Sequence, residues 1–141
     1  MFDLTDFDFM QSLTGVIPFA AYFAVALVMV AIYTAIYTWV TPHDELKLIK
    51  ENNIAAAVSF IGSLLGFTQP LMTAMDVSAN IIDFAMWGSI ALVVQIFVFQ
   101  LIRIPFPKAI ERIEKGEVAM GVLIGGISLA IGALTSTAMS Y

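Results

Sequence analysis

Four long apolar stretches separated by short polar ones set the rhythm of this chain: residues 16–40, 54–75, 84–104 and 118–139. Each reaches the roughly 20 residues that a helix needs to cross about 30 Å of hydrocarbon. Backbone amides in lipid have to be satisfied within their own segment, so the stretches predict membrane-spanning helices and no strands. Pro18 falls near the start of the first span, where a missing amide costs least. Trp39 and Tyr37 near the end of that span, and Trp87 near the start of the third, are expected as interface anchors.

Within the second span the polar and small residues are not scattered. Ala55, Ser59, Gly62, Gly66, Gln69 and Thr73 recur at steps of four and three, which places them on one helical face. Phe60, Ile61, Leu64, Leu65 and Leu71 fill the other faces. Small residues let another backbone come close, and Gly62 and Gly66 have the four-residue spacing of such contacts. The fourth span has Gly126 on the corresponding stripe and a second small set, Gly121, Gly125, Ser128 and Gly132. A helix that is small on two faces can meet two neighbours. The stripe of the second span is therefore expected to pack within the chain, and Gly121, Gly125 and Gly132 between chains.

Shifted by 64 residues, the chain overlays on itself without a gap. Ile49, Ala55, Val58, Gly62, Leu65, Thr73, Ala74 and Met75 fall on Ile113, Ala119, Val122, Gly126, Leu129, Thr137, Ala138 and Met139. The pattern predicts one transmembrane domain, 1–141, built from two units at about 14–77 and 78–141. Each unit has two spans, an even number, so the copies share one orientation and form a parallel repeat. The polar segments inside the units fit the same scheme. Thr41, Pro42 and Asp44 read as a helix cap, with Leu46 and Ile49 on one face and Asn52-Asn53 as a stop. Ile110, Ile113 and Gly116 repeat the arrangement. Two short amphipathic helices on the membrane surface are expected, one after the first span and one after the third.

Charge then orients the molecule. All six basic residues lie in those two segments: Lys47 and Lys50 in one, Arg103, Lys108, Arg112 and Lys115 in the other. Lys and Arg resist translocation, so both segments are expected in the cytoplasm and both chain ends on the exported side of a bacterial inner membrane. Asp3, Asp6, Asp8, Asp76 and Asp83 fall on that exported side. Asp44, Glu45, Glu51, Glu111, Glu114 and Glu117 balance the six bases, which leaves a neutral cytoplasmic face and argues against nucleic-acid binding. The net charge of −5 thus belongs to the opposite side. The acidic start of the chain does not read as a cleavable signal.

Composition narrows the chemistry. A 60% hydrophobic content with 12% charged residues suits a bilayer rather than a soluble core. With no cysteine and a single histidine, His43, the chain offers no thiolate or multi-histidine metal site. No catalytic residue, metal or cofactor is expected. No span has a central Asp, Glu, Lys or Arg, which weighs against ion-coupled transport. Gln69 is expected to point into the bundle and hydrogen-bond between helices; the alternative is that Gln69, Thr73 and Gln95 line a polar path through it. Pro70 frees the carbonyl of Gly66, for which Gln69, Thr73 or a neighbouring helix is the expected partner.

The run Glu51-Asn52-Asn53-Ile54-Ala55-Ala56-Ala57, followed by Gly62, Gly66 and Pro70-Leu71, resembles the bacterial YjfL family, domain of unknown function 350. Gly116-Glu117-Val118-Ala119 is similar to a second, degraded copy of that entry. The resemblance implies a four-span inner-membrane protein made of a duplicated two-helix unit, with no established activity. It also implies gene neighbours concerned with the cell envelope. The reading that results is a non-enzymatic membrane component, homo-oligomeric or part of a larger complex, tied to envelope maintenance. A channel or passive transporter using Gln69, Thr73 and Gln95 is the alternative.

Overall fold

The computed structural model describes residues 8–42 and 44–141, and among them the secondary structure is helices joined by short turns, without a strand. In chain order the helices are α1 (Phe9–Thr14), α2 (Val16–Val40), α3 (Glu45–Lys50), α4 (Ile54–Val77), α5 (Ile81–Arg103), α6 (Ala109–Glu114) and α7 (Val118–Met139). Four segments are long and apolar enough to cross a membrane: α1 with α2, α4, α5 and α7. Asp3, Asp6 and His43 lie outside the described residues. Asp8 is inside them and caps α1, its side chain accepting from the amides of Met10 and Gln11.

The four spans run alternately, and side-chain order along them shows it. On α4 and α7, Ala55 meets Gly121, Gly62 meets Gly125 and Thr73 meets Ser136, so the two helices are parallel. On α2 and α5, Tyr22 stacks on Phe84 and Tyr37 packs on Phe99, so these are parallel too. The short helices α3 and α6 then share one end of the bundle. Asn53 and Ile113 are bonded there across the two junctions.

Two kinds of packing hold the bundle together. α4 and α7 approach through small residues, backbone to backbone. α2 instead inserts rings: Tyr33 stacks on Phe67 with centroids 4.5 Å apart, and Tyr37 lies 4.7 Å from Phe99. Burial of α2 is confined to Met29, Tyr33 and Tyr37, while Phe19, Phe23, Leu27 and Ile32 face outward. Lipid tails are as apolar as these side chains, so close packing and interhelical hydrogen bonds are what favour association in a bilayer.

Helix ends follow local chemistry, with corrections to the expected caps. Thr41 does not start a helix. It closes α2, its hydroxyl bonding the Tyr37 carbonyl at 2.7 Å, and Asp44 caps α3 instead. Asn52 takes a left-handed φ of 65° and Gly116 one of 78°, both just past a short helix. The turn bonds recur as well: Asn52 N to Ile49 O and Asn53 N to Leu48 O in one segment, Gly116 N to Ile113 O and Glu117 N to Arg112 O in the other. Trp39 is exposed at the end of α2, as an interface anchor should be, but Tyr37 is fully buried. Its hydroxyl has partners inside the bundle, which hold the ring there.

Candidate functional site: the seam between α4 and α7

Glycine is required along this seam because the neighbouring element is backbone, which cannot move aside. A Cβ on Gly62 would lie 2.3 Å from the Gly125 Cα, and one on Gly121 would lie 2.3 Å from the Ala55 carbonyl oxygen. One on Gly66 would fall 2.4 Å from the Ser128 carbonyl oxygen, and one on Gly125 2.6 Å from that of Val58. The closest approach is at Gly132, where a Cβ would be 2.0 Å from the carbonyl oxygen of Gly66.

That last contact answers the question raised by Pro70. Proline inside α4 supplies no amide to the carbonyl four residues back, which is Gly66. The hydrogen that stands where a Gly132 Cβ would be points at this carbonyl, a weak Cα–H···O contact. Neither Gln69 nor Thr73 fills the role.

The seam corrects the expected division of labour. Gly121, Gly125 and Gly132 meet α4 of the same chain, not another subunit. Gly126, assigned to the packing stripe, has nothing within 4 Å of its Cβ position and is exposed. Ser59, placed on the same stripe as Gly62, faces α2: its hydroxyl is 3.4 Å from that of Tyr37. Helical pitch explains the split, since a stripe of steps of three and four is wider than one contact line.

Polar side chains cross-link the seam and its flanks. Thr73 Oγ1 and Ser136 Oγ are 2.5 Å apart, and Ser63 Oγ donates to Ser128 Oγ at 3.4 Å. Gln69 Nε2 reaches the Leu129 carbonyl at 3.4 Å, from a half-buried position. Gln95 of α5 is buried and donates through Nε2 to the Ser128 carbonyl at 3.0 Å. Its Oε1 has no hydrogen-bond donor among the described residues. The three residues assigned to a polar path therefore all make contacts to α7, Gln69 and Thr73 from α4 and Gln95 from α5.

Sequence reasoning missed the polar cluster at the α3 end. Glu45 is 1% exposed, and Tyr37 donates its hydroxyl to Glu45 Oε1 at 3.0 Å. Tyr33 bonds the Ser63 carbonyl at 3.2 Å beside it. The charge pattern puts Glu45 among six loop acids, whereas α3 turns this carboxylate inward and leaves Leu46 half exposed. The available signal was the spacing of Tyr33, Tyr37 and Thr41, a polar line at steps of four down one face of an otherwise apolar helix.

Asn53 ties the two short helices to the spans. Its Oδ1 caps α4 by accepting from the Ala56 amide at 2.9 Å, while its Nδ2 donates to the Ile113 carbonyl at 2.9 Å. One side chain thus satisfies an orphan donor at the start of α4 and gives the Ile113 carbonyl, which already accepts from the Gly116 amide, a second donor.

With the geometry in place, comparison with known proteins decides the family. The sequence pattern of a domain of unknown function, DUF350, matches residues 10–139. The chain belongs to the DUF350 family. It is 39% identical over 132 residues to the UPF0719 inner membrane protein YjfL of Escherichia coli (strain K12), covering 94% of this chain and 100% of that protein. The UPF0719 transmembrane protein YshE of Bacillus subtilis (strain 168) is 24% identical over 115 residues, 79% of this chain and 85% of that one. No solved structure matches the DUF350 chain.

Proposed function

We propose that this DUF350 protein is a non-enzymatic, multi-pass component of a bacterial inner membrane that acts by assembling with further copies of itself in the service of envelope maintenance. One observation carries the reading. Beside the seam, α4 and α7 leave an outward-facing groove of about 400 Å³ lined by Ala57, Ile61, Gly62, Val122, Gly125 and Gly126. Its lining is wholly apolar, and Gly126 stands open within it. A helix of a second copy can approach such a floor more closely than it could a surface of leucines. The relatives named for the inner membrane and as transmembrane support the location.

The same reading takes both short helices as cytoplasmic and both chain ends as exported, on the strength of where Lys and Arg fall. It takes the chain as a duplicated two-helix unit. Support comes from α3 and α6, and from the starts of α4 and α7, which recur at the 64-residue offset seen in the sequence. Side chains such as the half-buried Thr73 and the buried Ser63 and Gln95 act in it as bonds between helices.

Gly126→Leu tests the assembly, because it fills the groove without touching the seam. The expected result is a loss of oligomer mass in mild detergent, measured by light scattering, with the melting temperature of the monomer kept. An unchanged oligomer in Gly126→Leu, or a wild-type protein that is monomeric in lipid nanodiscs, would refute the proposal.

A further inference from the structure

We infer that a groove between the end of α5 and the start of α7 is a binding site for an anionic phospholipid, independent of the assembly groove. The cavity measures about 280 Å³ and joins an apolar wall, Pro105, Phe106, Pro107 and Met120, to two cationic side chains, Lys108 and Arg112. No acid lines it. The chemistry is that of a lipid whose phosphate meets the two cations while its glycerol and upper acyl carbons lie on the proline-phenylalanine wall.

Charge accounting across this end of the bundle singles out the site. Lys115 is paired with Glu111 at 2.6 Å, and that contact holds the Glu111 carboxyl below its ordinary range. Arg103 donates to the side chain of Gln100. Lys108 has no ion pair among the described residues. Lys47 and Lys50 have none there either, but the groove at Lys47 is lined by Asp44, Glu51 and Glu114, whereas no acid lines the groove at Lys108. Arg112 binds Glu117 through Nε alone, leaving its terminal nitrogens for a second acceptor such as a phosphate. Lys108 and Arg112 sit over an apolar wall, with the Glu117 carboxylate bonded, among the described residues, to Arg112 alone, and charge complementarity calls for an anion with an apolar body.

Depth in the bilayer agrees. The groove begins directly after α5, whose closing residue Ile104 is 73% exposed, so its rim lies where the hydrocarbon gives way to headgroups. Basic pockets at that level between spanning helices are suited to anionic headgroups. A free phosphate ion would have no use for the apolar wall.

The test uses the full chain in nanodiscs of phosphatidylcholine doped with phosphatidylglycerol, with lipid retention read by native mass spectrometry. Wild type is expected to retain phosphatidylglycerol over phosphatidylcholine, and Lys108→Gln to lower that retention by roughly five-fold, the worth of one basic residue near an anionic surface. Lys108→Gln with Arg112→Gln is expected to abolish the preference. Lys47→Gln with Lys50→Gln removes the same charge from α3 and is expected to leave retention unchanged. Equal losses in the two double variants would reduce the effect to a diffuse surface attraction and overturn the site. So would a wild type without preference. Because Lys108 is exposed, its single variant separates loss of lipid from loss of fold.

Discussion

Asn53 shows how much one side chain can decide. Its amide group serves two helices that are far apart in sequence, capping α4 and closing α6. Asn53→Ala should lower stability by about 1–2 kcal/mol through the lost cap, with a smaller share from the second bond to the Ile113 carbonyl, which keeps its bond from the Gly116 amide. Asn53→Asp keeps the acceptor and loses the donor, so it should recover only part of the loss. Thermal melting in detergent checks the order: wild type, then Asp, then Ala. An Ala variant as stable as wild type would show the tie to be idle. The sequence marked Asn52-Asn53 as a stop signal but not as a bridge, because the partner carbonyl lies some 60 residues away and periodicity reports only local neighbours. The same limit hid Glu45, whose burial depends on Tyr37 of another helix.

At the scale of elements, the apolar rhythm was a faithful guide. The last span has the boundaries expected of it, the first begins earlier because α1 precedes α2, and the middle two differ only at their ends, where charge and cap residues lie. Hydrophobicity resolves spans well because crossing a bilayer demands a fixed length. It resolves faces poorly. Gly125 and Gly126 are adjacent, and nothing in their spacing says that Gly125 lies against Val58 while Gly126 faces outward. Alanine substitutions should separate them. Gly132→Ala and Gly121→Ala push a methyl into backbone and should cost about 1–3 kcal/mol or more. Gly126→Ala meets open space and should be neutral or slightly stabilising, since alanine is the better helix former. Melting curves of the three variants that coincide would contradict the seam as described.

At the scale of the whole molecule, the chain reads as a parallel pair of glycine-rich helices, α4 and α7, braced by a tyrosine-bearing α2 and by α5, with two short helices tied beneath. The seam uses three of the four glycines of α7, and the two surfaces proposed for other molecules are the open groove at Gly126 and the cationic pocket at Lys108. The family membership fits the four-span architecture without supplying a reaction. The assignment of glycines to contacts within one chain, on which both surfaces depend, has a direct test in a protein that has no cysteine of its own. Thr73→Cys with Ser136→Cys replaces two hydroxyls that stand 2.5 Å apart across α4 and α7. Mild oxidation in nanodiscs should give a disulfide inside single chains, with both thiols lost, monomer mass kept and no dependence on protein concentration. Covalent dimers, or thiols that stay free, would contradict the account.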